Sequence, residues 1–90
     1  MIRFHILVSG RVQGVGYRYF CKEKASKTNC SGWVKNLPDG RVEAEIQGEE
    51  SDVLNLLSLL RKGPPMGYVI DIVKYEIPLE EKEKRFQIRY

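Results

Sequence analysis

A glycine-rich segment close to the N-terminus limits the ways in which this chain can fold. Residues 10–18 read GRVQGVGYR and join a strand-like segment to a helix-like one. Glycine tolerates positive φ, so such a segment can turn successive N–H groups toward one point. The following helix supplies a partly positive N-terminus, and Arg18 can close on phosphate oxygens with two parallel hydrogen bonds. The segment therefore predicts a strand-to-helix turn that cradles a phosphate-sized anion.

Hydrophobic periodicity predicts the elements on either side of this turn. Residues 2–8 alternate between apolar and mostly polar side chains, which is typical of a strand with one buried face. After the turn, apolar or small residues recur at helical spacing, and Lys22, Glu23, Lys24 and Lys27 provide a polar face. The predicted inner stripe of this helix is Phe20, Cys21, Ala25 and Thr28.

A hairpin and a second helix follow. Residues 32–36 and 41–47 are strand-like and flank Leu-Pro-Asp-Gly at 37–40, a sequence typical of turns. Ser51 is predicted to cap the next helix, which ends at Gly63 before two prolines. The inner stripe of that helix is predicted to be Val53, Leu56, Leu57 and Leu60.

The last third of the chain predicts two more strands. Residues 68–76 are rich in Val, Ile and Tyr, and residues 86–90 alternate. Lys82, Glu83 and Lys84 between them are interpreted as a solvated loop. The order β-α-β-β-α-β predicts an α+β, ferredoxin-like sandwich in which two helices cover one face of an antiparallel sheet, with an extra C-terminal strand.

Composition bounds the function. Ninety residues with 42% hydrophobic content fit one domain, residues 1–90. A net charge of +3 without a basic tract gives little support to nucleic-acid binding. No apolar run could span a bilayer, and the first residues lack the charged start, apolar run and cleavage site of a leader, so we expect a cytoplasmic chain without membrane contact. Cys21 and Cys30 are interpreted as buried or semi-buried thiols rather than a disulfide or metal pair.

The glycine-rich segment differs from the common nucleotide-binding motifs. No Gly-Lys-Ser/Thr follows it, and Tyr19 stands where a dinucleotide fingerprint has its third glycine. His5 lies in the middle of a strand, so a structural or surface imidazole is expected rather than a catalytic base. Aromatic residues near the turn are expected to fill the core or line a pocket, with Tyr17 bordering the site.

Two separated signatures resemble those of the acylphosphatase family. The first is residues 10–18, and the second is Gly-Trp-Val-Lys-Asn at 32–36, followed by Gly40, Val42 and Gly48. The resemblance extends over essentially all 90 residues. It implies a small ferredoxin-like sandwich that hydrolyses the carboxyl-phosphate bond of small acyl phosphates without a metal or cofactor. It also implies that Arg18 binds phosphate and that Asn36 orients the attacking water.

The chemistry of these residues agrees with the implied roles. An acyl phosphate is already activated, so the enzyme needs mainly to hold phosphate, neutralise its charge and aim water. The predicted substrate-binding residues are Gln13, Gly14, Val15, Gly16, Tyr17 and Arg18, which supply backbone N–H groups in addition to the guanidinium. Asn36 can accept a hydrogen bond from water without repelling the anion. Taken alone, Asn36 would more often be a residue that satisfies turn backbone.

Two other functions remain to be weighed. A binding module could hold an anion or RNA on the same fold, but we expect no appended domain, and the sequence has no Lys/Arg-Gly-Phe/Tyr pattern. A metal-trafficking domain would need a Cys-x-x-Cys pair in the first loop, and the sequence has none there. We therefore expect a monomeric enzyme whose partners are a small acyl phosphate and phosphate-like anions, as product or inhibitor.

Overall fold

The computed structural model describes all 90 residues, Met1–Tyr90. Two helices and five strands follow one another in the predicted order, β-α-β-β-α-β with an extra C-terminal strand. The elements are β1 (Ile2–Arg11), α1 (Tyr17–Lys27), β2 (Ser31–Asn36), β3 (Val42–Gly48), α2 (Glu50–Lys62), β4 (Tyr68–Ile77) and β5 (Phe86–Ile88). No helix is both long and apolar enough to cross a membrane.

The strands form one sheet in the order β4-β1-β3-β2-β5. The first four strands pair antiparallel, whereas β5 pairs parallel with β2 from Gly32↔Phe86 to Val34↔Ile88. The ferredoxin-like α+β class is confirmed, and the sheet is mixed because the extra strand runs alongside β2. The position of that strand places residues 89–90 at the same end of the sheet as the end of β2.

The core lies between the sheet and the two helices. Alternate residues of β1 and β3 point inward, so Ile6, Val8, Val42, Ala44 and Ile46 are fully or almost fully buried. From α2, the predicted stripe of Val53, Leu56, Leu57 and Leu60 is buried. From α1, the buried residues are Tyr17, Cys21 and Ala25. Burying this apolar surface is the main stabilising contribution to the fold.

The start of α2 differs from the prediction. Ser51 lies inside the first turn, and the N-cap is Glu49, whose extended backbone (φ −62°, ψ 149°) precedes the helix. The Glu49 carbonyl accepts the first helical hydrogen bond from Val53 N at 2.9 Å. Glu50 and Asp52 place negative charge in the first turn, which favours the helix without a side-chain cap. The predicted stop is confirmed, because Gly63 adopts φ 67° at the C-cap.

A buried arginine holds the connector before β5 against the sheet face that lies away from the helices. Arg3 is only 3% exposed, and its guanidinium contacts Glu45 at 2.9 Å and Glu83 at 2.7 Å. The Gln47 side chain accepts a hydrogen bond from Arg3 Nη1 at 3.1 Å and another from Glu80 N at 2.7 Å. The interpretation of Glu83 as a solvated residue was therefore wrong, since its carboxylate neutralises a buried cation; Lys82 and Lys84 are exposed as predicted.

This ionic cluster predicts a loss of stability in acid. Burial opposes ionisation of Glu45, but hydrogen bonds from His5 and Arg3 outweigh that effect and lower the pKa of Glu45 below its ordinary value of 4.5. A carboxyl with a lowered folded pKa contributes stability above its ordinary pKa and loses it as the pH falls through the folded pKa. We therefore expect the free energy of unfolding, measured by urea denaturation, to fall as the pH drops below 4.5.

Glu45→Gln should remove part of that pH dependence. At pH 7 the variant should be less stable than the wild type by about 1–2 kcal/mol, because the amide carries no negative charge to pair with the buried Arg3 guanidinium. This difference in stability should shrink in acid, where the wild-type carboxyl is protonated and therefore also uncharged. Glu81→Gln is the matched control, since Glu81 is exposed and makes no ion pair. Equal curves for the two variants would contradict this assignment.

Candidate active site

The carboxyl ends of β1 and β2 lie at the same edge of the sheet. Both strands pair antiparallel with β3, so they are parallel to each other. Val42, the first residue of β3, pairs with Val8 on one side and with Asn36 on the other. Two strand spacings, roughly 10 Å, therefore separate Asn36 from β1 just before the glycine-rich segment begins to turn.

The backbone of residues 13–19 presents a series of unused hydrogen-bond donors. None of these N–H groups donates to a backbone carbonyl or to a side chain of the protein. Gly14 and Gly16 adopt left-handed conformations, with φ 75° and 78°, which L-residues rarely adopt. These turns lead residues 12–16, which form the cradle, into the start of α1.

The N-terminus of α1 adds a favourable potential for an anion. Gly16 is the N-cap, no side chain caps the helix, and the first turn contains no acidic residue. The first N–H groups of a helix carry partial positive charge, and here no carboxylate competes for them. This helix end is therefore suited to a phosphate group.

Arg18 lies in the first turn of α1, half-buried, with its guanidinium unpaired. It forms no ion pair with any carboxylate of the chain and donates no side-chain hydrogen bond. Its Cζ lies 4.7 Å from the centre of the Tyr90 ring. An arginine that rests on an aromatic face keeps the N–H groups at its edge available for oxygen ligands.

Asn36 is the last residue of β2 and contains the only buried side-chain polar atom without a partner. Its Oδ1 exposes less than 1 Å² of surface and accepts no hydrogen bond from the protein. Leaving a buried acceptor unpaired costs about 1–3 kcal/mol, so such atoms call for an explanation. A water molecule or a hydroxyl group bound at this edge would supply the missing donor.

The remaining predicted residues divide between the cradle and the core. Gly14 is exposed, and Val15 packs partly against the core. The Tyr17 side chain is buried, and its hydroxyl donates to the Leu60 carbonyl at 2.9 Å, so this ring does not border the site. Burial raises the pKa of Tyr17 well above its ordinary value. The part of Tyr17 that stays available at the start of α1 is its backbone N–H, which donates to no carbonyl of the protein.

Two contacts at this edge were not anticipated from the sequence. Tyr90 supports Arg18, although the two residues are far apart in the chain and no local pattern links them. The Gln13 carboxamide donates to the Leu37 and Arg41 carbonyls at 2.8 and 2.9 Å. A polar side chain between two glycine turns could have suggested a bridging role, but the prediction considered only its backbone.

His5 and a cavity between α1 and β5 lie away from this edge. His5 contacts Glu43 at 3.2 Å and Glu45 at 3.0 Å, in the middle of β1 on the outer face of the sheet. That cavity, about 990 Å³, meets the cradle region only through Tyr19 and Tyr90. A group as small as phosphate needs no large cavity, so cavity size does not locate the predicted site.

The fold and this edge define the chain as a small ferredoxin-like α+β protein with a glycine-rich loop at the uncapped start of its first helix. The family model described as acylphosphatase matches residues 4–88. An acylphosphatase from Clostridium beijerinckii is 47% identical over 90 residues, covering 100% of both chains. The chain belongs to the acylphosphatase family, as the two signatures predicted.

Solved structures agree with this assignment. The crystal structure of acylphosphatase from Bacillus subtilis is 42% identical, covers 100% of both chains and superposes with a TM-score of 0.95. The structure of an acylphosphatase from Coxiella burnetii is 38% identical and has a TM-score of 0.92, covering 98% of this chain and 92% of that one. The fold of this chain is therefore similar over its whole length to structures of enzymes named acylphosphatase.

Proposed function

We propose that this chain is an acylphosphatase that hydrolyses the carboxyl-phosphate bond of small acyl phosphates, giving a carboxylate and inorganic phosphate. In this proposal the N–H groups from Gln13 to Arg18 and the Arg18 guanidinium bind the phosphate, and Asn36 orients the attacking water. One domain, residues 1–90, carries the whole site. Membership of the acylphosphatase family supports the reaction class.

The single observation that carries the assignment of the site is the set of unpaired polar groups at one edge. The N–H groups of residues 13–19 and the guanidinium of Arg18 are donors without acceptors. The Oδ1 atom of Asn36 is a buried acceptor without a donor. A phosphate group would satisfy the donors, and a water molecule would satisfy the acceptor, so the two unmet requirements match the two reactants.

The proposed reaction is a direct displacement at phosphorus. Water held by Asn36 Oδ1 attacks in line, a P–O bond forms to the water oxygen, and the P–O bond to the acyl group breaks. The leaving carboxylate is a weak base and departs without a proton, while the proton of the attacking water passes to a phosphate oxygen. Arg18 and the N–H groups stabilise charge on the non-bridging oxygens, so neither a metal nor a cofactor supplies a step.

An assay with benzoyl phosphate, an aryl acyl phosphate, tests this function. In the presence of a chelator, the purified protein should release benzoate and phosphate, and inorganic phosphate should inhibit competitively because it occupies the same cradle. Phenyl phosphate should be hydrolysed at least about 100-fold more slowly, since phenolate is a poorer leaving group than benzoate. Correctly folded protein that leaves benzoyl phosphate intact would refute the proposal.

We also propose that the protein acts as a monomer in the cytoplasm. The proposed groups all belong to one chain, so a second copy is not required to complete the site. Cys21 and Cys30 are both buried free thiols, and burial raises the pKa of each. Unpaired cysteines fit a reducing compartment. Sedimentation or light scattering at micromolar concentration measures the oligomeric state.

A further inference from the structure

The side chain of Gln13 braces the mouth of the β2–β3 hairpin. Its Nε2 donates to Leu37 O at 2.8 Å and to Arg41 O at 2.9 Å. The same two residues are joined across the hairpin by a bond from Leu37 N to Arg41 O at 2.8 Å. One carboxamide therefore holds both arms of the hairpin at the point where it leaves the sheet.

These two bonds are also the only polar tie between the cradle and the hairpin. No other hydrogen bond of the protein involves residues 12–15. On the opposite side, buried Val12 and partly buried Val15 hold the loop by apolar contact. Apolar packing is less directional than hydrogen bonding, so the Gln13 side chain is the group that sets how far the cradle stands from the hairpin.

Asn36 immediately precedes Leu37, whose carbonyl Gln13 holds. The sheet fixes Asn36 relative to the end of β1, and the Gln13 bridge fixes the loop that follows β1 relative to the hairpin. We infer that the Gln13 side chain is a positioning residue for the hydrolysis, because it fixes the separation between the phosphate held in the cradle and the water held by Asn36. This inference rests on the proposed function.

The bridge is expected to govern turnover more than binding. Every group proposed to hold phosphate belongs to the cradle or to α1, and none belongs to the hairpin. In-line attack, by contrast, needs the water oxygen about 3–3.5 Å from phosphorus, and an error of about 1 Å can cost about 100-fold in rate. A cradle that shifts relative to the hairpin would still bind phosphate, but the phosphorus atom would no longer lie in line with the water held by Asn36.

Gln13→Met tests this role, because methionine keeps the length of the side chain and removes both donors. We expect kcat for benzoyl phosphate to fall about 30- to 100-fold. The KM and the inhibition constant for inorganic phosphate should stay within about threefold of the wild-type values. In an Asn36→Ala background the same substitution should lower kcat by less than about threefold, since no carboxamide is left to misplace.

Asp39→Ala is the matched control on the same hairpin. Asp39 accepts hydrogen bonds from Arg41 N at 3.0 Å and from Arg41 Nε at 2.8 Å on the exposed side of the turn. Its removal loosens the turn but leaves the Gln13 bridge in place, so kcat should remain within about twofold of wild type. Gln13→Asn, one methylene shorter, should lose kcat in the same way and carries the test if the methionine variant does not fold.

Three results would overturn the inference: wild-type kcat in Gln13→Met, an equal loss in Asp39→Ala, or a full multiplicative loss when Gln13→Met is combined with Asn36→Ala. A wild-type protein without turnover would refute the proposed function and this inference with it. If the wild type is active and Gln13→Met is fully active, the inference about Gln13 is refuted and the proposed function is not.

Discussion

Arg18→Ala should reduce kcat/KM for benzoyl phosphate by about 1,000-fold or more. The substitution removes the only side-chain cation proposed to contact the phosphate, and groups that stabilise charge on a transferring phosphoryl group are worth about 10³–10⁵ in rate. Both kinetic constants should change, because the guanidinium binds the ground state and also the charge that develops on the equatorial oxygens. Initial rates over a range of benzoyl phosphate concentrations measure the effect.

Arg18→Lys and Arg61→Ala complete this experiment. Lysine keeps the charge but cannot form two parallel hydrogen bonds, so we expect it to recover only part of the activity. Arg61 is an exposed arginine in the last turn of α2, and Arg61→Ala should leave both constants near wild type. Retention of more than about a tenth of the activity by Arg18→Ala would be incompatible with the proposed role, given the size of such effects elsewhere.

Asn36→Ala should lower kcat by about 100- to 1,000-fold with little change in KM. Removing one group that orients a reactant or stabilises a transition state commonly costs this much, and the groups proposed to hold phosphate are untouched. The free energy of unfolding should not decrease, because the wild-type Oδ1 accepts no hydrogen bond from the protein and alanine therefore removes none. Kinetics and urea denaturation on one preparation measure both effects.

This combination separates a functional residue from a turn-forming one. If Asn36 served only to satisfy the hairpin backbone, its replacement would reduce stability and leave turnover largely intact. Asn36→Asp provides a second comparison, since it keeps the shape of the side chain and adds a negative charge that repels the anion. We expect this variant to raise KM as well as lower kcat, in contrast to alanine.

Features of the fold with a local cause were predictable from the sequence. Alternation in β1, the helical stripe of α2 and the turn residues of the β2–β3 hairpin each depend on neighbours in the chain, and each element forms as expected. Ser51 misled the prediction, because any serine before an apolar stripe resembles a cap. The chain instead begins the helix at Glu50, where two acidic residues favour the first turn.

Features that depend on distant contacts were not predictable. The pairing of β5 with β2 rests on three residue pairs between segments far apart in the chain. The bond between Arg3 and Glu83 joins residues separated by 80 positions, and nothing near Glu83 distinguishes it from a solvated residue. At the candidate site, the sequence indicated the cradle, Arg18 and Asn36, whereas the bridge from Gln13 and the support from Tyr90 require the folded chain.

The proposed site is built largely from main-chain amides, and this has a consequence for mutational mapping. Replacing side chains one at a time from Gln13 to Gly16 leaves every amide of that stretch in place, and only proline deletes one. A conventional alanine scan would therefore under-report what this stretch contributes to the reaction. Its share becomes measurable when single amides are exchanged for esters by chemical synthesis, which is practical for a chain of this length.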